Sequence, residues 1–165
     1  MKILILGDVM GLSGRKAIKK NLSKIIKDNK INFTIINGEN AADDGRGITR
    51  SIAEEFFLYG IDVITSGNHI WDKQETTDYI NKESRLLRPA NLVEGSPGNG
   101  YGIYSTKDKK FKVGVINLMG NVFMKKTNDV FEVAKKIKDK IVLKNNVDFI
   151  VIDFHGEITS EKMAI

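Results

Sequence analysis

Five apolar runs in this chain each end in a residue able to bind a metal ion or move a proton. Lys2 to Gly7 ends at Asp8, Phe33 to Gly38 at Glu39-Asn40, and Asp62 to Gly67 at Asn68-His69. Phe111 to Ile116 ends at Asn117, and Asp148 to Phe154 ends at His155. Carboxylate oxygens and an imidazole nitrogen form a donor set suited to Mn, Fe or Zn, and an Asn carbonyl oxygen can join it. Two metals about 3.5–4 Å apart need a carboxylate to bridge them and a phosphate to clamp. A carboxylate directly after an apolar strand must be solvated, paired or metal-bound, which singles out Glu39. Taken one at a time the motifs are ordinary: Gly7-Asp8 closes many first strands, and a lone strand-end His155 fits a simple hydrogen-bonded role. Gly67-Asn68-His69 is the most specific of them, and only the joint pattern is persuasive.

The elements that must position these residues follow from periodicity. Short β-branched runs separated by helical stretches read as parallel strands with crossover helices. Ligands in open α/β sheets bind outside the carboxyl ends of the strands, so all five positions are expected along one edge. Ala17, Ile18, Leu22, Ile25 and Ile26 keep helical spacing within a helix from about Ser13 to Asn29. A second helix starts near Thr49 or Ser51, where Ser51-Ile-Ala-Glu54 fits a capping box, and ends at Gly60. A third covers about Lys73 to Lys82, with Asp72 read as its N-cap or as a partner that orients His69. Leu86 to Leu92 and Tyr101 to Ser105 read as short strands around the turn Gly95 to Gly100. A long helix from about Asn128 to Asn145 precedes the last strand, and another begins near Thr159. Asn117 reads equally as a turn residue or a substrate contact, Trp71 as packing, and Arg46 as a solvated arginine with a phosphate contact as its alternative.

The 165 residues, 41% of them hydrophobic, amount to one α/β domain spanning 1–165. With no Cys there is no disulfide, thiolate metal site or Cys nucleophile. The N-terminal apolar run is too short for a signal peptide and no run is long enough to span a membrane, so a cytoplasmic location is expected. The net charge of +5 comes largely from lysines in solvated clusters such as Lys107 to Lys112 and Lys135 to Lys140. Their sharper reading is attraction for phosphate-bearing substrates or RNA, although no aromatics are interleaved for base stacking. Gly7 to Gly14 matches neither a dinucleotide fingerprint nor a P-loop, which counts against a nucleotide-binding module without hydrolysis. Ser160 to Ile165 reads as a helix interrupted after about a turn, so the chain is expected to be the front portion of a longer domain.

Gly7-Asp8, Asn37-Gly38-Glu39-Asn40, Gly67-Asn68-His69 and the lone His155 together resemble the strand-end motifs of the calcineurin-like metallophosphoesterases. Gly38 to Ala42 and Ser66 to Asp72 are similar to the bacterial YmdB-like phosphodiesterases in particular. The resemblance runs through Asn117-Leu-Met-Gly120 and Asp153-Phe-His155 over the whole chain. It implies a layered sheet sandwich flanked by helices, and hydrolysis of cyclic nucleotides, 2′,3′-cyclic ones included. It also implies two divalent metal ions, Fe or Mn favoured over Zn or Mg. Asp8 would hold the first metal, Glu39 would bridge both, and Asn68 and His155 would hold the second. Asn40 would act beside them as a ligand or as a partner of the nucleophilic water. His69 would protonate the leaving oxygen. The chain departs from the family in lacking a downstream Gly-x-His-x-His motif, since His69 and His155 are its only histidines. That departure implies under-coordinated metals, weak activity, and uncovered apolar surface that would drive homo-oligomer formation. The alternative function is a non-catalytic regulatory partner of RNA-processing machinery that binds metal.

Overall fold

A computed structural model describes residues 1–165. The element order is β1 (Ile3–Asp8), α1 (Gly11–Asn29), β2 (Phe33–Asn37), α2 (Arg50–Leu58), β3 (Val63–Thr65) and α3 (Gln74–Tyr79), followed by β4 (Tyr101–Ser105), β5 (Lys112–Met119), α4 (Val130–Lys138), β6 (Phe149–His155) and α5 (Thr159–Ala164). The strands divide into two three-stranded sheets, β1-β2-β3 and β4-β5-β6. The first is all parallel. In the second, β4 is antiparallel to β5, and β5 is parallel to β6. The five apolar runs form strands, divided between two sheets as the resemblance to a layered sandwich implies.

Period-two alternation explains the layering. Phe33 and Ile35 on β2, with Val63 on β3, pack against Val113 and Val115 on β5 and Val151 on β6 between the sheets. The opposite face of the first sheet, with Leu6, Ile36 and Ile64, is covered by Leu22 of α1 and by Ile52, Ala53 and Phe56 of α2. The outer face of the second sheet, through Ile116 and Leu118, meets Val130 and Ile137 of α4. The result is a helix–sheet–sheet–helix sandwich. Continuing the same alternation toward the carboxyl ends, the layer between the sheets changes character. Asn37, Thr65, Asn117 and Asp153 occupy the positions that follow Ile35, Val63, Val115 and Val151.

Several boundaries shift for local reasons. Thr49, not Ser51, caps α2, its Oγ1 accepting from the Ile52 amide at 3.3 Å. Glu54 is drawn off to Arg50 Nε at 2.7 Å, so no capping box forms around Ser51. The helix expected over 128–145 stops at Lys138. Beyond it, Asn146 Oδ1 accepts from the Val142 amide at 2.8 Å and its Nδ2 donates to the Lys140 carbonyl at 2.7 Å. Such local side-chain bonds compete with helix continuation. The segment from Leu86 contributes only isolated bridges, Leu86 to Ile64 and Leu87 to Asn99, in place of a strand. Gly95 and Gly98 turn the chain with φ of 81° and 73°, conformations open to glycine.

Candidate functional site at the strand ends

The carboxyl ends of both sheets converge on Glu39. This residue is only 2% exposed, and its backbone amide donates to Asn37 Oδ1 at 3.1 Å, which fixes the turn out of β2. Glu39 Oε1 lies 3.0 Å from His155 Nε2, so the first sheet touches the second through an acid–imidazole contact. His155 Nε2 is also 3.1 Å from Asn68 Oδ1. Asn40 Nδ2 donates to Asp8 Oδ2 at 2.7 Å and to Glu39 Oε1 at 3.3 Å, linking the end of β1 to the end of β2. Asp8, Glu39, Asn40, Asn68 and His155, which the sequence singles out, are therefore joined in one chain of contacts.

Gly67 makes this packing possible. A Cβ at that position would overlap Glu39 Oε2 and lie 2.5 Å from His155 Cδ2. The glycine is needed because the carboxylate and the imidazole pass directly over the backbone. The Glu39 Oε2 atom also accepts from the His69 amide at 3.3 Å.

His69 stands apart from the donor group. Its Nδ1 is 2.7 Å from Asp72 Oδ2. Asp72 is not the N-cap of α3, which is preceded by Lys73 and has no side-chain cap. The carboxylate is committed to the imidazole instead. Trp71 packs at the margin of the main core, as expected. Arg46 is exposed on the surface.

Asn117 is neither a turn residue nor open to substrate. It lies within β5, is 0% exposed, and pairs with the backbone of Ser66: Oδ1 accepts from the Ser66 amide at 2.9 Å and Nδ2 donates to its carbonyl at 3.0 Å. It thus stitches β5 to the Gly67-Asn68-His69 loop. Asp153 is the residue that strand-end reasoning passes over. Its Oδ2 accepts from Asn37 Nδ2 at 3.2 Å and from Thr65 Oγ1. The available signal was an acid in the middle of an apolar run, two residues before His155.

The electrostatics are those of an acidic cluster short of positive charge. Burial pushes the Asp8 carboxyl up, reinforced by the charge of Glu39 and opposed by the hydrogen bond from Asn40. At His155, burial works against the charged ring. The hydrogen bond and charge of Glu39, with Asp153 and Asp8 behind it, outweigh burial and raise the imidazole. The donor chemistry fits a divalent cation: carboxylate, amide and imidazole groups face one another around a buried acid whose nearest basic group is a histidine. No three acidic or imidazole side chains converge on a single point, however, and Asp8 reaches Glu39 through the Asn40 amide. The largest hollow, about 420 Å³ between α1 and α2, is lined by residues such as Arg15, Lys16 and Ser51 and contains none of these side chains.

A two-sheet α/β sandwich thus gathers acids, amides and an imidazole at its strand ends. A family model described as YmdB-like protein matches residues 4–165, and the chain belongs to that family. It is 42% identical over 165 residues to a 2′,3′-cyclic-nucleotide 2′-phosphodiesterase of Bacillus subtilis (strain 168), covering 100% of this chain and 61% of the relative. The crystal structure of a hypothetical protein from Thermus thermophilus superposes with a TM-score of 0.88 at 30% identity, over 99% of this chain and 61% of that one. A structure described as a novel phosphatase from Mycoplasma pneumoniae gives a TM-score of 0.87 at 32% identity, over 99% and 58%. The chain thus spans about three-fifths of the length of the relatives it matches. No helix is long and apolar enough to cross a membrane.

Proposed function

We propose that this chain carries the strand-end half of a metal-dependent phosphodiesterase acting on cyclic nucleotides, 2′,3′-cyclic nucleotides above others. The observation that carries the reading is the buried Glu39 carboxylate held 3.0 Å from His155 across the two sheets, with His69 set apart and paired to Asp72. Asp8, Glu39, Asn40, Asn68 and His155 would hold a pair of divalent cations, Fe or Mn in preference to Zn or Mg, with Glu39 as the shared ligand. When bound, such cations polarise phosphoryl oxygens and lower the pKa of a coordinated water. The similarity to the Bacillus subtilis 2′,3′-cyclic-nucleotide 2′-phosphodiesterase supports a substrate of this class.

The chain's own residues supply positioning and the proton. In its doubly protonated form His69 would donate Nδ1–H to the Asp72 carboxylate, which fixes the ring, and its Nε2–H would be the proton delivered. That proton goes to the departing oxygen of the ester, a general-acid role worth roughly 10²- to 10⁴-fold. Asn40, between Asp8 and Glu39, aligns the nucleophilic water or serves as a ligand by turning its amide oxygen inward. Five side chains shared between two cations are few, so the 165 residues by themselves are proposed to bind the cations weakly and turn over slowly. Exposed Ile5 and Ile152, on strands at the sheet margins, support self-association of the same chain.

Hydrolysis of 2′,3′-cyclic AMP with and without added Mn²⁺ tests the reading. Slow turnover that depends on Mn²⁺ and disappears in Glu39→Gln is expected. Turnover that persists in excess chelator, or that is unchanged in Glu39→Gln, overturns it.

A further inference from the structure

We infer that Asp153 is a positioning residue for the Glu39 site, acting through Asn37; this rests on Glu39 being a cation ligand. Residues 153 and 155 share one face of β6, so the strand that delivers His155 to Glu39 also delivers Asp153 to the first sheet two residues earlier. There Asp153 Oδ2 accepts from Asn37 Nδ2 at 3.2 Å and from Thr65 Oγ1. The other end of the same Asn37 amide, Oδ1, accepts the Glu39 backbone N–H at 3.1 Å. An unbroken relay therefore runs from the Asp153 carboxylate through Asn37 to the backbone of the buried acid.

Two features separate this arrangement from generic core packing. Asp153 carries a negative charge into the layer between the sheets, yet its two side-chain donors are neutral. A purely structural acceptor at that point would be served equally by a neutral amide oxygen. In addition, Asn37 can hold the Glu39 amide with Oδ1 only while its Nδ2 has an acceptor, and Asp153 fixes which way that amide faces. Asn117 reinforces the same junction, its Nδ2 lying 3.4 Å from the Asp153 carbonyl.

The test is a binding cycle on the 165-residue chain, read by calorimetric titration with Mn²⁺ after chelator removal. Asp153→Asn and Asn37→Ala are each expected to lower Mn²⁺ affinity about 10-fold or more, the range for groups that orient metal ligands from behind. The double variant should lose no more than either single one, because both break the same relay. In chelator, Asp153→Asn should also shift the imidazole NMR signals of His155 while circular dichroism stays native. A merely structural Asp153 would lower the unfolding midpoint and leave those signals and the affinity of the folded chain unmoved, which overturns the proposal. Additive losses in the double variant overturn it as well. Should Asp153→Asn fail to fold, Asn37→Ala carries the decision, and unchanged affinity there is fatal. Equal Mn²⁺ affinity in wild type and Glu39→Gln removes the site reading itself. Wild type binding better than Glu39→Gln, with Asp153→Asn equal to wild type, removes only the role of Asp153.

Discussion

His155 Nε2 lies 3.0 Å from Glu39 Oε1, although the two residues are 116 positions apart and one ends β6 while the other follows β2 of the other sheet. The contact is one of the points at which the two halves of the sandwich meet, and Gly67 is the residue that leaves room for these two side chains. Its neighbours determine what each substitution should do.

Glu39 is buried and shared between the His155, Asn40 and His69 contacts, whereas Asn40 touches only the acids beside it. Glu39→Gln should therefore reduce bound divalent cation more than Asn40→Ala. Elemental analysis of the two purified variants, loaded with the same Mn²⁺ excess, checks the order. Equal content in Glu39→Gln and wild type would remove Glu39 as a ligand.

A histidine that delivers a proton matters most when the leaving group is poor. His69→Ala should leave cation content nearly intact and slow an alkyl-type ester by roughly 10²-fold or more, with a smaller loss on an activated aryl ester. Asp72→Asn should show the same pattern in weaker form, since it disturbs only the orientation of the ring. Equal losses on both esters would reject the proton-donor role.

Gly67→Ala places a methyl group on the Glu39 carboxylate and the His155 ring. Main-chain movement of the loop, or expulsion of one side chain, is the outcome, so cation binding should fall to the level of Glu39→Gln. Near-native far-ultraviolet circular dichroism is expected, because the clash is local. Full Mn²⁺ affinity in Gly67→Ala would show that the approach of the two sheets is unnecessary.

Away from the site, Arg85 donates to both oxygens of Glu83, from Nε at 2.8 Å and from an Nη at 2.6 Å. The hydrogen bond to Arg85 holds the Glu83 carboxyl below its usual value of 4.5. A carboxyl lowered in the folded state contributes stability above its unfolded value and loses it as pH falls through the folded one. The unfolding midpoint of wild type should therefore exceed that of Glu83→Gln at about pH 6, and the difference should shrink as pH drops below about 4.5. A difference that is constant with pH would mean that the charge of Glu83 contributes nothing.

Local pattern alone marks which residues end the strands and what chemistry they carry. Hydrophobic runs bounded by glycine mark β1, β2, β3, β5 and β6, because burial in a two-layer fold demands continuous apolar stretches of that length. Helical spacing marks α1 by the same logic. The strand-end motifs then carry the family, since a carboxylate, amide and imidazole set at those positions has few other uses. What the sequence left open were pairings between distant segments. Alternation gives each strand two faces but not its neighbour, so the division into two sheets was decided only when Phe33, Ile35 and Val63 found Val113, Val115 and Val151. The role of Asp72 depended on competition between a helix amide and an imidazole 2.7 Å away, which no local pattern resolves. Asn117 was fixed by Ser66, 51 residues away, and Asp153 by Asn37, 116 residues away. Such roles arise from the packing of one sheet on the other, and a buried polar side chain takes whichever partner that packing brings within reach.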